Sequence, residues 1–405
     1  TKWRSWTRPK PVWPPLPKAL DQRRGFIWLL CAMAALTALS IDIILPATSV
    51  IARDLSVDER YAALTIGAYL IGYGLGQLVW GLISDAYGRS PALVWSLAGF
   101  LAASVGCAFA TDYWLLVGLR FAQGMCAGAP VMARAIARDI ASGPRLGEIL
   151  SLQMILTTIA PLFAPLLGVA LTTAFGWRAN FLFLVLFSGL LLILWTRLGH
   201  ETVPHRRPER LRLSFVREAT RTLFAKPAFV QGLFASAAGF AGYASLLSLG
   251  AVVAEEAYGL GPTGFGPLFV LAALGLSLGI GSYRLLVRRL GENGLRRLMQ
   301  AGMVAAVLVH GAFWIAPVAL VPFWSAVCFY TLVFGLLLPW AQARAMQVAE
   351  ETPGFAASLL GAVVMAGGAV GAALATVLFT GTAGAISGTM MLGGVVALLF
   401  LWRAV

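Results

Sequence analysis

Apolar residues in this chain come in long unbroken runs, without the alternation of a strand or the single stripe of a soluble helix. Each run holds about 20 residues or more, enough for a helix to cross a hydrocarbon core of about 30 Å. Twelve are predicted, at 25–47, 61–84, 90–110, 112–137, 145–173, 176–197, 228–254, 262–288, 295–315, 319–346, 353–378 and 383–403. Turn residues separate them: Gly88-Arg89-Ser90-Pro91, Thr111-Asp112, Ser142-Gly143-Pro144, Phe175-Gly176, Gly261-Pro262 and Thr352-Pro353. The run at 145–173 exceeds a straight crossing, and Pro161 and Pro165 within it predict tilt or a kink. Continuous runs exclude a β-barrel, whose strands alternate.

The longest connection, 198–227, follows the sixth run. In it Leu211, Leu213, Phe215, Val216, Leu223 and Phe224 sit among Arg210, Arg212, Arg217 and Arg221, the pattern of a basic helix lying on a membrane surface. It divides the chain into a six-span segment at 25–197 and another at 228–405. Residues 1–24 are Pro-rich and basic, unlike a signal peptide, and Trp3, Trp6 and Trp13 suit a flexible tail touching the membrane. An all-α, multi-pass membrane protein is the expected fold class.

Composition agrees. Of 405 residues, 59% are hydrophobic and only 12% charged, with a mean hydropathy of +0.83; soluble domains run roughly 45–50% and about 25%. A soluble enzyme is excluded. The net charge of +13 would suit nucleic acid, but the basic residues sit in short connections and not on one face. Anionic lipid headgroups are the expected counterion, and no nucleic-acid partner is expected. Of the 30 Lys and Arg, only Arg53, Arg60 and Arg178 lie in the connections opposite the tail, and Arg120 alone lies within a span. That asymmetry predicts both termini on the cytoplasmic side. Cys31, Cys107, Cys126 and Cys328 lie in apolar runs without metal-binding spacing, so buried thiols are expected, and no metal or cofactor.

Two charges remain inside spans once the connections are discounted: Asp42 and Arg120. Each costs about 2.5–3.5 kcal/mol at a helix centre on insertion scales, so function is the default reading and a helix-locking ion pair the competing one. A carboxylate balanced between an apolar span and a nearby cation can take and release protons near physiological pH. That suits proton coupling. Beyond the second span, Asp85, Gly88 and Arg89 form a tight polar turn in which Asp85 is placed to pair with Arg89. Tyr69, Gln77, Gln123, Met125, Gln153, Met154, Phe240 and Tyr243 are candidates for a substrate cavity, aromatics and Met being adaptable surface, with ordinary helix packing as the alternative. His310 reads as a hydrogen-bonded packing residue, and the Gly367-Gly368 and Gly371 run as packing surface.

Read together, Gly76-Gln77-Leu78, Gly81, Ser84-Asp85, Gly88-Arg89 and Pro91 resemble the loop signature between helices two and three of the major facilitator superfamily. Arg120, Gln123, Gly124 and Gly128 resemble its R-x-x-Q-G motif, followed by Arg134, Arg138 and Asp139. Ala160-Pro161, Ala164-Pro165 and Gly168 resemble the antiporter motif of its drug exporters. The stretches at 40–47, 258–269 and 354–361 resemble the bicyclomycin- and chloramphenicol-resistance subfamily of drug:proton antiporters. The resemblance runs through almost the whole chain after residue 25.

It implies two six-helix lobes working by alternating access as a proton-coupled exporter of small, mostly apolar or cationic compounds such as antibiotics. It also implies a bacterial inner-membrane location and action as a monomer. Asp42 maps to a proton site, Arg120 to the arginine that influences it, and Asp85, Gly88, Arg89 and Asp139 to a cytoplasmic latch. Ala86 and Ser90 replace residues that are usually basic in that latch, which predicts a weaker one. A proton-coupled carrier of one metabolite, peptide or siderophore is the alternative. No nucleophile–base constellation for a membrane enzyme can be assembled, and a passive channel leaves Asp42 unexplained.

Overall fold

The computed structural model describes residues 24–203, 206–316, 318–349 and 352–402, so Trp3, Trp6 and Trp13 lie outside the described residues. All regular structure among the described residues is helical. Among the described residues, eleven helical stretches are long and apolar enough to cross a membrane, and one of them holds two crossings, giving the twelve expected.

The first crossing is discontinuous. Helix α1 (Arg24–Asp42) ends before a 3₁₀ turn at Leu45–Ala47, and α2 (Thr48–Asp54) completes the span. Pro46 lacks the N–H that would continue the ladder, and the Thr48 hydroxyl donates to the Leu45 carbonyl at 2.9 Å. Helix α3 (Ala63–Tyr87) is separated from α4 (Arg89–Ala108) only by Gly88, whose φ of 112° is one that side-chain-bearing residues rarely adopt. The fourth crossing is also interrupted, between α5 (Tyr113–Met125) and α6 (Ala129–Ile140). Asp112 caps α5 by accepting from the Leu115 N–H at 2.9 Å. Helix α7 (Gly143–Phe175) runs unbroken through Pro161 and Pro165, and α8 (Arg178–Leu198) closes the first half.

The connector holds a 3₁₀ turn at Pro208–Leu211 and α9 (Leu213–Phe224). This helix does more than lie on a surface. It buries Ala219 and Leu223 against Phe229, Leu233 and Phe355, so its apolar face covers the end of the bundle, while Leu213 stays exposed.

The second half comprises α10 (Pro227–Glu256), α11 (Pro262–Ile315), α12 (Leu320–Gln347), α13 (Pro353–Leu378) and α14 (Gly384–Trp402). The sequence predicts separate spans at 262–288 and 295–315, and α11 holds both, as two helical segments that meet at a kink at Gly291, with φ 68°. Side-chain-bearing residues rarely adopt that φ, so glycine marks the boundary. The halves meet where α3 packs on α13 and α7 on α11. Small residues make that seam: a Cβ on Gly74 would stand 2.9 Å from the Ala362 carbonyl oxygen. Without water to drive association in a bilayer, such close backbone approach supplies the attraction. All four thiols are free; Cys31 and Cys107 are buried, whereas Cys126 and Cys328 are only half-buried.

Candidate functional site

Asp42 is the last residue of α1, at the break in the first crossing, and 4% exposed. It makes no hydrogen bond or ion pair with any of the described residues. Its electrostatic neighbour is Tyr243 of α10, in the opposite half. Tyr243 packs with Phe240 and Phe334 at ring-centroid separations of 6.0 and 6.1 Å. Phe240 rests against Gly368 of α13, where a Cβ would meet its ring at 2.4 Å. A neutralisable carboxylate thus sits at the junction of the halves beside an aromatic cluster. Gly168 of α7 secures the other side of the break: a Cβ there would stand 2.0 Å from the Ile43 carbonyl oxygen. Of the three antiporter-motif residues, Gly168 is therefore the one in contact with the segment beside Asp42.

Arg120 is fully buried in α5, and the structure does not place it on Asp42. Its guanidinium lies over the Tyr69 ring at 4.2 Å and donates to Gln123 Oε1 at 2.5 Å, while Gln123 donates to Ser104 at 2.7 Å. The R-x-x-Q-G spacing has a direct meaning. Gln123, one turn on, orients Arg120, and Gly124 lets α5 approach α3 so closely that a Cβ would be 2.2 Å from the Tyr69 carbonyl oxygen. Arg120 Nε and Nη2, the Tyr69 hydroxyl and the Thr37 and Ser40 hydroxyls of α1 are buried without hydrogen-bond partners. Thr37 and Ser40 are three positions apart and share one face of α1, while Asp42, two positions beyond Ser40, points away from it.

The eight cavity candidates do not converge on one cavity. Phe240 and Tyr243 gather near Asp42; Tyr69 and Gln123 hold Arg120. Gln153 ties α7 to α6 by donating to the Ala133 carbonyl at 3.2 Å. The Met125 carbonyl accepts from the Trp80 indole at 2.7 Å. Gln77 stands at the α3–α13 seam, its amide oxygen 2.0 Å from where a Cβ on Gly361 would be. Met154, 61% exposed, lines a cavity of about 250 Å³ between the halves with Thr157, Pro161, Ser277 and Gln342. Pro165 is buried inside α7.

At the connector end of the bundle, Asp85, Arg89 and Asp139 do come together. Arg89 Nη1 meets Asp85 at 2.6 Å and Arg89 Nε meets Asp139 at 3.0 Å. Three further participants come from the connector. Arg210 pairs with the second oxygen of Asp85 at 2.5 Å, and Thr202 donates to Asp139 at 3.1 Å. Glu201 accepts from the N–H groups of Arg89 and Ser90, at 2.9 and 3.3 Å, where the first turn of α4 leaves its donors unpaired. Gly88 admits that carboxylate, since a Cβ there would stand 2.2 Å from Glu201 Oε2. Glu201 is one of three acids in a basic connector, with Glu209 and Glu218, but no spacing rule joins it to partners a hundred positions away.

A family model described as Major Facilitator Superfamily matches residues 30–372. The uncharacterized MFS-type transporter YdgK of Bacillus subtilis is 31% identical over 353 residues, 84% of this chain and 85% of that protein. Multidrug resistance protein D of Escherichia coli is 29% identical, covering 93% and 94%, and the bicyclomycin resistance protein homolog of Haemophilus influenzae is 27% identical, covering 91% and 94%. Among solved structures, an inward-facing, occupied bacterial homolog of the human lysosomal transporter Spinster superposes with a TM-score of 0.71 at 16% identity, over 94% of this chain and 96% of that one. That last likeness is one of fold.

Proposed function

Since the chain belongs to the major facilitator superfamily, we propose that it is a proton-coupled exporter of small, mostly apolar or cationic compounds, antibiotics among them. In this reading residues 25–197 and 228–405 rock against each other in the bacterial inner membrane, as a monomer with both termini cytoplasmic, joined by the connector at 198–227. The basic residues of the connections support that orientation, and relatives named for multidrug and bicyclomycin resistance support the substrate class.

One observation carries the mechanism: Asp42 is buried at a broken helix, unpaired, and faces an aromatic cluster of the other half. Broken helices near mid-membrane are where secondary transporters house their coupling ions. Protonation removes the charge and its desolvation cost, so a neutral Asp42 tolerates closure of the halves around it. Deprotonation favours the state that admits water. Substrate and proton then compete for the same junction, which is antiport. Arg120 keeps α3, α4 and α5 in register around α1, and the Asp85–Arg89–Asp139 network holds the connector end shut.

The test is reconstitution into vesicles with an imposed proton gradient. Substrate-dependent proton movement is expected from the native chain. Asp42→Asn should lose gradient-driven accumulation while keeping its fold, since neutralisation removes a buried charge. Accumulation by Asp42→Asn equal to that of the native chain would refute the assignment.

A further inference from the structure

The two positions where the latch lacks a basic residue do not leave it short of cations. Ala86 is buried, and Ser90 accepts from the Trp195 indole at 3.1 Å, so neither offers charge to Asp85. The cation comes from the connector. Arg210 takes one Asp85 oxygen and Arg89 the other, so the carboxylate is clamped from two sides. The Arg207 N–H also donates to the Asp85 carbonyl at 2.8 Å, which fixes the connector backbone beside α3. On its far side Arg210 reaches the Phe215 ring at 5.9 Å, and Phe215 meets Phe355 of α13 edge-on at 5.9 Å. A chain of contacts therefore runs from Asp85 in the first half, through the connector, to the start of α13 in the second.

We infer that Arg210 is a positioning residue for alternating access, by which the connector clamps Asp85 and straps the two halves together at their connector end. The proposal rests on the latch reading of Asp85, Arg89 and Asp139 but adds to it. Opening at this end separates the α3–α13 seam, and the strap must then release either Asp85 from Arg210 or Phe215 from Phe355. Two-state equilibria of this kind respond to pairs of contacts with couplings of about 5- to 150-fold. Guanidinium–carboxylate pairs with a second hydrogen-bonded oxygen are among the stronger contacts, and half-buried as here they are screened less than at an open surface.

Ser358 of α13 reports on the seam: it is buried against Gly81 of α3. Ser358→Cys in the full chain, in lipid nanodiscs, gives an alkylation rate that tracks opening, after subtraction of the signal from the four native cysteines. Arg210→Gln is expected to raise that rate about fivefold or more. Arg210→Lys should restore part of the protection, because it keeps the charge but not the planar guanidinium that reaches both Asp85 and the Phe215 ring. In an Asp85→Asn background, Arg210→Gln should add nothing further, the signature of one shared interaction. An unchanged rate in Arg210→Gln, with Asp85→Asn still accelerating it, would overturn the strap and leave the latch standing. A lower thermal midpoint in Arg210→Gln with no change in alkylation would reduce Arg210 to a structural contact and overturn it too. If neither Asp85→Asn nor Arg210→Gln alters the rate, latch and strap fall together.

Discussion

The two halves of the bundle solve the problem of buried polar groups in opposite ways. The first keeps charge: Asp42 without a partner, and Arg120 held by Gln123 and by the face of Tyr69. The second keeps a hydrogen-bonded ring. His310 is fully buried between the Ser387 hydroxyl and the Ala326 carbonyl, at 3.4 and 3.3 Å, with its ring edge-on to Tyr330. Tyr330 in turn donates to the Gly239 carbonyl at 3.0 Å. The turns differ likewise. Between α3 and α4 stands a clamped ion network, while the matching stretch of α11 runs on as helix except at Gly291. Buried charge with few partners is costly in a membrane and persists where it does work. In the proposed mechanism the chemistry of the cycle therefore falls to the first half, against which the second acts as an apolar rocking partner.

The strongest way to break this comparison is to exchange the roles of Arg120 and His310. Arg120→Ala should cost at least tenfold in transport rate, about 1.4 kcal/mol, whereas His310→Gln should leave the rate within about twofold. A reversed order in vesicle assays would put the working group in the second half. The packing that holds Arg120 is next in size. Gly124→Ala forces α5 off the Tyr69 backbone and should destabilise by roughly 1–3 kcal/mol, as overpacking does, read as a lower thermal midpoint in detergent. An unaltered midpoint would show that the α3–α5 contact yields easily. The two turns give a third comparison. Asp85→Asn should shift the conformational equilibrium by about 1–3 kcal/mol, with substrate affinity nearly intact, and Glu292→Gln in the α11 turn should shift it by a few tenths at most. Equal effects would restore symmetry between the turns. Smallest is His310→Gln on stability itself, expected below about 1.5 kcal/mol because a neutral hydrogen bond is exchanged for another.

The sequence makes the spans legible because a bilayer imposes one requirement, about 20 apolar residues, at every crossing. It also reads both spans within α11, between which Gly291 kinks the chain. The sites divide by how local their signal is. Asp42, Arg120, Asp85 and Arg89 stand out because a charge in or beside an apolar run is rare in itself. Arg210 and Glu201 do not stand out, being ordinary connector charges whose partners are fixed only by the folded path of the chain. Nor does sequence show that Arg120 lies over the Tyr69 ring, since helical phase across two different elements decides it.

The contact of Gly168 with Ile43 also bears on how such a protein can change over generations. A residue that admits no larger side chain packs against the neighbour of the carboxylate proposed to carry the proton, so this corner is closed to drift. Variation in what the protein carries has to arise elsewhere, at positions with room, such as Met154 beside its cavity. A laboratory selection for new resistance would thus return changes along α7, α11 and α12, while the codon for Gly168 stays as it is.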